Sequence, residues 1–193
     1  MKITLASEDF NRIMRVCVPA LASPASPRET LKYIQIRTNG NGEGCATALD
    51  GYTLAQTRFP CTGDAGEMLI PKHKNVRKDC MVTIEQKGGK ISISDGIETV
   101  TREAVKDPYV ATDVIIKKAQ ADETTISVYV DRHLLRNALR SYANSEKVVC
   151  MEIRQADGPI ILRGTDSCGM VLPVRVHGTC GGIWNGGAKF WHE

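Results

Sequence analysis

The stretch Lys2–Leu21, KITLASEDFNRIMRVCVPAL, places a short strand directly before an amphipathic helix. Its apolar side chains recur at helical spacing: Phe10, Ile13, Met14, Cys17 and Leu21. Ser7 is predicted to cap this helix, with Glu8 and Asp9 in the first turn. Pro19 is predicted to end it, because proline cannot donate the interior hydrogen bond.

Three strands are predicted after this helix, over residues 31–38, 45–49 and 52–59, with a tight turn at Asp50-Gly51. The same order recurs from residue 67: a strand at 68–70, a short helix from Pro71 to about Lys78, and strands at 81–86, 90–94 and 99–104. A third copy has a strand at 126–130, a helix from Arg132 to about Ala143 capped by Asp131, and strands at 148–154, 160–163 and 170–176.

The repeated order predicts an α+β fold made of βαβββ units. Residues 1–110 would form a complete domain of two units, 111–124 a connector, 125–176 a half domain of one unit, and 177–193 a C-terminal tail. A lone unit of about 50 residues exposes one apolar sheet face, so it should seek a partner. Pairing of two protomers would supply one.

Bulk composition excludes several classes of protein. The 193 residues carry 42% hydrophobic and 24% charged side chains, which is typical of a globular chain. No apolar stretch reaches the ~20 residues of a membrane span, and residues 1–5 run into a helix rather than a signal peptide, so we expect a cytoplasmic protein. The net charge of +3 is small, so any DNA contact must rely on local positive charge.

The sequence gives little support for catalysis or for a metal site. It contains no P-loop, no G-x-G-x-x-G after a strand, no G-x-S-x-G and no H-E-x-x-H. The seven cysteines never form C-x-x-C and are interpreted as small buried hydrophobes. The four histidines lack ligand spacing and are interpreted as surface or DNA-facing residues. We therefore predict a protein that is not an enzyme and that has no cofactor and no metal. A catalytic protein that uses a cysteine–histidine pair stays open as an alternative, because such partners meet only in the fold.

Basic residues lie on all three predicted helices. Arg132, Arg136 and Arg140 repeat at i, i+4 and i+8, opposite an apolar face. Like charges at that spacing repel, so a polyanion would relieve the repulsion, although an ordinary solvated face explains the stripe as well. Basic character on each helix favours phosphate contact. The predicted DNA-binding residues are Arg12, Arg15, Lys72, Lys74, Arg77, Lys78, Arg132, Arg136 and Arg140.

Two apolar segments, residues 50–55 and 171–176, fit either a recognition edge or ordinary core packing. Pro173 favours a sheet edge, because it cannot donate a ladder hydrogen bond.

The same segments resemble a known family. Ala48–Ala55, ALDGYTLA, resembles the T-D-G-x-R-L-A stretch of the middle domain of the bacterial DNA polymerase III beta subunit, the beta sliding clamp. Met170–Val176, MVLPVRV, resembles that family's V-M-P-M-R-L strand. LIPKHKNVRK at residues 69–78 and VKDPYV at residues 105–110 resemble its I-P-[RK] and F-P-D-Y segments, in the same order.

The resemblance implies a clamp-like fold of paired βαβββ units with antiparallel sheets outside and helices inside. It implies a processivity factor that encircles double-stranded DNA as a homo-oligomer, with DNA polymerase, other motif-bearing proteins and a clamp loader as partners. A peptide-binding adaptor or decoy that does not encircle DNA is the alternative. The implied peptide-binding pocket comprises Leu49, Gly51, Tyr52, Thr53, Leu54, Leu172, Pro173, Val174, Arg175 and Val176.

The sequence also departs from the family pattern. Family clamps have three domains, whereas this chain resembles the middle domain and the last half of the third. Val110 and Ala111 stand where the family usually has arginines. Residues 177–193 continue past the family's last strand, and this tail is expected either to dock in a pocket or to be disordered.

Overall fold

The computed structural model describes residues 1–121, 126, 128–140, 142, 148–165 and 167–174. The chain divides into two compact units, Met1–Ala119 and Gln120–Glu193. The finer predicted domain boundaries stay a prediction, and the predicted C-terminal tail lies outside the described residues.

The first unit contains nine strands and two α-helices among its described residues. A 3-10 turn at Val18–Ala20 follows α1, and another at Glu29–Lys32 precedes β2. The elements are β1 (Lys2–Ala6), α1 (Ser7–Cys17), β2 (Tyr33–Thr38), β3 (Glu43–Leu49), β4 (Leu54–Pro60), β5 (Thr62–Gly63), β6 (Gly66–Pro71), β7 (Met81–Lys87), β8 (Lys90–Ser94), β9 (Thr99–Glu103) and α2, which runs from Thr112 across the division to Ala121.

The strands of the first unit form two antiparallel sheets, in the orders β5-β1-β7-β8-β9 and β4-β3-β2-β6. The first strand of each predicted copy joins the sheet of the other copy: β1 pairs with β7, and β6 pairs with β2. One copy therefore cannot complete its sheet without the other. Strand exchange makes the two copies a single domain.

One hydrophobic core lies between these elements. Phe10, Ile13, Met14 and Cys17 of α1 are buried, as their spacing predicts. They belong to the same buried cluster as inward-facing residues of both sheets, such as Ile36 of β2. Each large side chain in this cluster removes enough apolar surface from water to contribute about 1.5–3 kcal/mol.

Ser7 does not cap α1, so that prediction is wrong. The N-cap is Ala6, and no side chain caps it. Ser7 is buried; its N–H donates to the carbonyl oxygen of Cys80 over 2.9 Å, and its Oγ accepts from the N–H of Cys80 over 3.4 Å. The serine continues the pairing of β1 with β7, which occupies the oxygen that a cap would use.

The short helix predicted for residues 71–78 is also wrong. Pro71 ends β6, and no helix follows it before β7. The Asn11 side chain donates to the carbonyl oxygen of Val76 over 3.0 Å and accepts from its N–H over 2.9 Å. These bonds satisfy backbone groups without a helix. A helix of only two turns that carries several cations is also difficult to nucleate, because the like charges repel each other.

The predicted connector contains a helix, α2, where only a linker was expected. Asp113 stands in its first turn, favourable at the positive end of the helix dipole. Asp113 also forms a two-pronged ion pair with Arg37 of β2, at 2.5 and 2.6 Å. The run Val114-Ile115-Ile116 has low helix propensity, so the local sequence did not predict a helix here. The ion pair with Arg37, a tertiary contact, anchors the helix.

The second unit contains α3 (Arg132–Arg140), β10 (Cys150–Glu152), β11 (Ile160–Arg163) and β12 (Cys168–Val171). The strands form an antiparallel sheet in the order β10-β11-β12. Asp131 caps α3 as predicted, because its Oδ1 accepts from the N–H groups of His133 and Leu134 over 2.7 and 3.1 Å. The strand predicted at residues 126–130 is absent from the described part of that segment.

Replacing Asn11 by alanine should lower the free energy of unfolding by about 1–3 kcal/mol, because the backbone of Val76 loses both amide partners. Urea denaturation measures this change. Asn75→Ala is the control, since Asn75 is an exposed amide of the same segment. Equal stability of the Asn11 and Asn75 variants would contradict the role assigned to Asn11.

Candidate functional site

The two predicted cations of α1 differ in their surroundings. Arg12 donates to Asp9 over 2.8 Å and to the carbonyl oxygen of Arg58 over 2.7 Å. Arg15 is exposed, and no described carboxylate forms an ion pair with it. Arg12 is therefore largely neutralised within the unit, while Arg15 offers its charge to solvent.

The basic segment between β6 and β7 lies beside the turn that joins β8 to β9. Lys74 forms an ion pair of 2.8 Å with Glu98, and Arg77 lies 3.9 Å from a carboxylate oxygen of Asp95. Together they line a cavity of about 280 Å³ that contains both signs of charge. Lys72 and Lys78, the other predicted DNA ligands here, are exposed. The carboxylates weaken the attraction of this segment for phosphate.

The arginine stripe of α3 is exposed along its whole length. Arg132, Arg136 and Arg140 all face solvent. Arg132 Nε lies 3.3 Å from His133 Nε2, and Arg136 lies 3.2 Å from His133 Nδ1. Among the residues that the structure describes in this unit, no carboxylate pairs with the stripe. Of the predicted DNA-binding surfaces, this one keeps the most positive charge.

The first predicted pocket wall lies on the face of the β4-β3-β2-β6 sheet that points away from the main core. Leu49 and Leu54 are directly opposite each other in the register and half-buried. Leu49 packs in a small cluster with Leu31, Leu69 and Tyr109. Burial raises the pKa of the Tyr109 hydroxyl to about 12, so it stays protonated. Tyr109 and Val110, just before α2, therefore cover part of this wall with apolar contacts.

The hairpin tip beside this wall is held by Asp50. Its Oδ1 accepts from the N–H groups of Tyr52 and Thr53 over 2.8 and 2.7 Å. Gly51 adopts a φ of 99°, which a side chain would strain. Tyr52 is 98% exposed. A braced turn thus presents an aromatic ring that nothing in the described unit covers.

The second predicted wall follows β12. Leu172 and Val174 are exposed and Pro173 is half-buried, while Val171 beside them is buried in the core of the unit. The N–H of Val174 donates to the carbonyl oxygen of Tyr129 over 2.9 Å. Arg175 and Val176, the last predicted pocket residues, lie outside the described residues. The two walls belong to different units, and each is characterised by itself.

The described thiols occur in three environments: buried, half-buried (Cys80) and exposed. Cys17, Cys45 and Cys61 are buried, as predicted, and burial raises the pKa of the Cys17 thiol to about 12. Cys150 and Cys168 are exposed, so for them the prediction of burial is wrong. Both lie directly opposite Arg163, on the face of the second unit's sheet that points away from its core. The sequence did not reveal this exposure, because strands of 3 and 4 residues are too short to show a clear alternation of polar and apolar side chains.

Within the described residues, no group of three histidine, cysteine or acidic side chains is arranged to hold a metal ion. No described helix is long and apolar enough to cross a bilayer.

No family model matches the chain, and no curated protein matches it. Solved structures do. A DNA polymerase sliding clamp from Pseudomonas aeruginosa superposes with a TM-score of 0.72 and 16% identity, over 92% of this chain and 52% of that one. A DNA polymerase III beta chain from Streptococcus pneumoniae gives a TM-score of 0.71 at 16% identity, covering 92% and 50%.

The chain has the sliding-clamp fold. A putative DNA polymerase III beta subunit from Eubacterium rectale gives a similar match, with a TM-score of 0.69 and 15% identity over 90% of this chain and 50% of that one. The predicted fold class is therefore confirmed. The chain spans about half the length of these clamps.

Sequence reasoning missed the groups that neutralise the predicted cations. Asp95 and Glu98 lie about 20 residues from their partners in the chain, and only the antiparallel turn of β8 and β9 brings them close. Arg37 and Asp113, which anchor α2, are farther apart still. Opposite charges on separate elements leave no local spacing signal, so the sequence could not reveal them.

We expect the Asp50 turn to respond to pH. Hydrogen bonds from the N–H groups of Thr53 and Tyr52 hold the pKa of the Asp50 carboxyl below its ordinary value of 3.8. The turn is therefore stabilised above the ordinary pKa, and this contribution is lost as the pH falls through the lowered folded-state pKa. Amide chemical shifts of Tyr52 and Thr53 should follow a transition below pH 3.8.

Asp50→Asn keeps an oxygen acceptor but cannot titrate, so the transition should vanish while the turn remains. A transition at or above pH 3.8 in the original chain would contradict the proposed bracing.

Proposed function

We propose that this chain is a sliding-clamp-like processivity factor for DNA polymerase that encircles double-stranded DNA as a homo-oligomer and recruits partners through short linear motifs. The observation that carries the proposal is the sliding-clamp fold over 92% of the chain. Because the chain spans about half of a clamp, a ring of comparable size needs several copies. The role is non-enzymatic and cytoplasmic, needs no cofactor, and includes a clamp loader as a further partner.

The exposed stripe of α3 supports contact with DNA. The three guanidinium groups lie on one face and form no ion pair with a described carboxylate, so they favour phosphate oxygens over any particular base. Contacts of this kind hold a duplex without fixing a register, so they are compatible with sliding. Arg15 on α1 adds an exposed cation of the same kind.

Two apolar surfaces support motif recruitment. The first unit offers Leu54 beside the uncovered ring of Tyr52, and the second offers Leu172 and Val174 after β12. Exposed apolar side chains next to braced backbone are suited to capture an extended peptide. Each surface contributes separately to the proposal.

A peptide-binding adaptor or decoy that does not encircle DNA is the second candidate. The ion pairs of Arg12 with Asp9 and of Lys74 with Glu98 favour it, because they withdraw positive charge from the predicted DNA-binding set. Retention on closed circular DNA against linear DNA of the same sequence separates the two candidates. An encircling ring slides off open ends and stays on the circle, whereas an adaptor is retained on neither.

Replacing Arg132, Arg136 and Arg140 together by alanine should weaken DNA retention without loss of the fold. The dependence of log affinity on log salt should become shallower by about 0.9 for each DNA phosphate that the variant no longer neutralises. Filter binding over a series of salt concentrations measures the slope.

The matched control replaces Lys87, Lys90 and Arg102 by alanine, which removes the same charge from exposed positions around β7, β8 and β9. Equal weakening of DNA retention in the two triple variants would mean that the loss of net charge alone explains the effect, and that the position of the arginines on α3 does not matter. An unchanged salt slope in the α3 variant would remove α3 from the DNA interface.

Leu54→Asp and Leu172→Asp should each abolish motif binding, because a carboxylate is costly to desolvate against an apolar peptide. A fluorescent peptide from the clamp-binding segment of a bacterial polymerase, followed by anisotropy, reports affinity. Ile97→Asp is the control, since it places the same charge at a 75% exposed apolar position on the β8–β9 turn. Full binding by both leucine variants would refute the assignment of these surfaces.

A further inference from the structure

Among the described residues, the sheet of the second unit has an open edge at β10. In the described part of the chain, β10 pairs only with β11, although β10 is the first strand after the helix in its copy. Apolar side chains near this edge face solvent, among them Val148, Met151 and Ile153. An edge with exposed backbone groups and apolar side chains is a template for another strand.

The first unit shows what occupies the equivalent edge. There the strands that directly follow the first-copy helix and the second-copy basic segment are β2 and β7. Each receives the first strand of the other copy: β6 pairs with β2, and β1 pairs with β7. Among the described residues of the second unit there is one copy only, and none of them occupies the β10 edge as β6 and β1 occupy the edges of β2 and β7.

A candidate donor is present in the same unit. Residues 128–130 stand directly before the α3 cap, as β1 stands before α1. On one side, the carbonyl oxygen of Tyr129 accepts from the N–H of Val174 after β12. In the first unit, the carbonyl oxygen of Lys2 likewise accepts from the N–H of Asp64, after β4. In the first unit β1, and in the second unit the segment 128–130, is thus hydrogen-bonded along one side to its own copy.

The other edge of β1 shows how a first strand uses its remaining groups. Met1 precedes Lys2, and its carbonyl oxygen accepts from the N–H of Gln86 of β7 over 2.8 Å. Successive residues of a strand present their hydrogen-bonding groups to alternate edges. The backbone carbonyl of Tyr129 is bonded to Val174. In an extended segment, the backbone N–H and C=O groups of Val128 and Val130 would therefore point to the opposite edge, where they are free to pair with another strand.

The side chains have compatible faces. Val128 and Val130 pack against the core cluster of the second unit, which contains Leu162. Met151 lies directly opposite Leu162 in the register, so it points to the same face of the sheet. Successive residues of a strand point to opposite faces of the sheet. If Val128 and Val130 are to stay on the core face, they must therefore lie opposite core-facing positions of the β10 edge, which are Met151 and residues 149 and 153.

We propose that two copies of this chain dimerise by exchanging residues 128–130, each segment pairing antiparallel with the β10 edge of the other copy. The exchange is reciprocal, so one two-fold axis satisfies both edges at once. Each half domain then gains the strand that the first unit gains internally. This interface deepens the homo-oligomer of the proposed function, but it stands on the topology of the second unit and does not require DNA.

Sedimentation of the full chain, with reductant and without DNA, tests the proposal. We expect a species of twice the 21.1 kDa chain mass. Met151→Asp should raise the dimer dissociation constant at least about tenfold, because each interface would bury an unpaired carboxylate. Met170→Asp makes the same change on the same sheet, but Met170 pairs with Ile161 on the opposite face, so its dimer should be unaffected.

Val128→Pro provides a second variant that acts on the backbone. It removes an N–H that the exchanged ladder uses and leaves the bond between Tyr129 and Val174 in place. We expect a weaker dimer with an unchanged circular dichroism spectrum. Hydrogen exchange of the original chain should slow at residues 128–130 and 149–153 together as concentration rises.

A chain that stays monomeric at micromolar concentration would overturn the proposal, and so would a dimer whose amides at 149–153 exchange as fast as in the monomer. Equal weakening by Met151→Asp and Met170→Asp would do the same. The triple alanine variant of Arg132, Arg136 and Arg140 should dimerise normally. An original chain that dimerises but is retained on neither circular nor linear DNA would count against the proposed function and leave this interface standing.

Discussion

The pairing of β1 with β7 and of β6 with β2 is the constraint on which the first unit depends. The first strand of each copy pairs within the sheet of the other copy, so neither sheet is complete until both copies are present. The shared core follows from this, because the exchanged strands bring Ile3 and Ile70 into one cluster with α1. Pairings between strands this far apart in sequence also make folding of the unit a collective event.

Charge in this fold is distributed by tertiary contacts rather than by composition. The net charge of the chain is only +3, but the two units differ in how many of their cations form ion pairs with carboxylates. In the first unit several cations are paired with carboxylates of neighbouring elements, as Lys74 is with Glu98. In the second unit the α3 stripe forms no ion pair with a described carboxylate. Positive potential is therefore expected to depend more on α3 than the even spread of lysine and arginine along the chain suggests.

The sequence revealed the elements whose signals are local. The apolar spacing from Phe10 to Cys17 predicted α1, and Asp50-Gly51 and Asp131 predicted a turn and a helix cap that the structure contains. Errors arose where distant groups decide the outcome. The amide of Asn11 keeps residues around Val76 out of a helix, and Arg37 anchors a helix through Asp113 that local propensity opposes. For the candidate site, the exposure of the cations was predictable, but their neutralisation was not.

The exposed thiols of the second unit have a chemical consequence. Cys150 and Cys168 flank Arg163 on adjacent strands, so their Cα atoms are about two strand spacings, roughly 10 Å, apart. A disulfide requires Cα atoms within about 7 Å, so oxidation cannot staple this sheet to itself. Oxidation by air would instead form disulfides between separate molecules, producing covalent oligomers unrelated to any native assembly. The same two positions offer maleimide dyes a place to attach, whereas Cys17, deep in the other unit, stays inert.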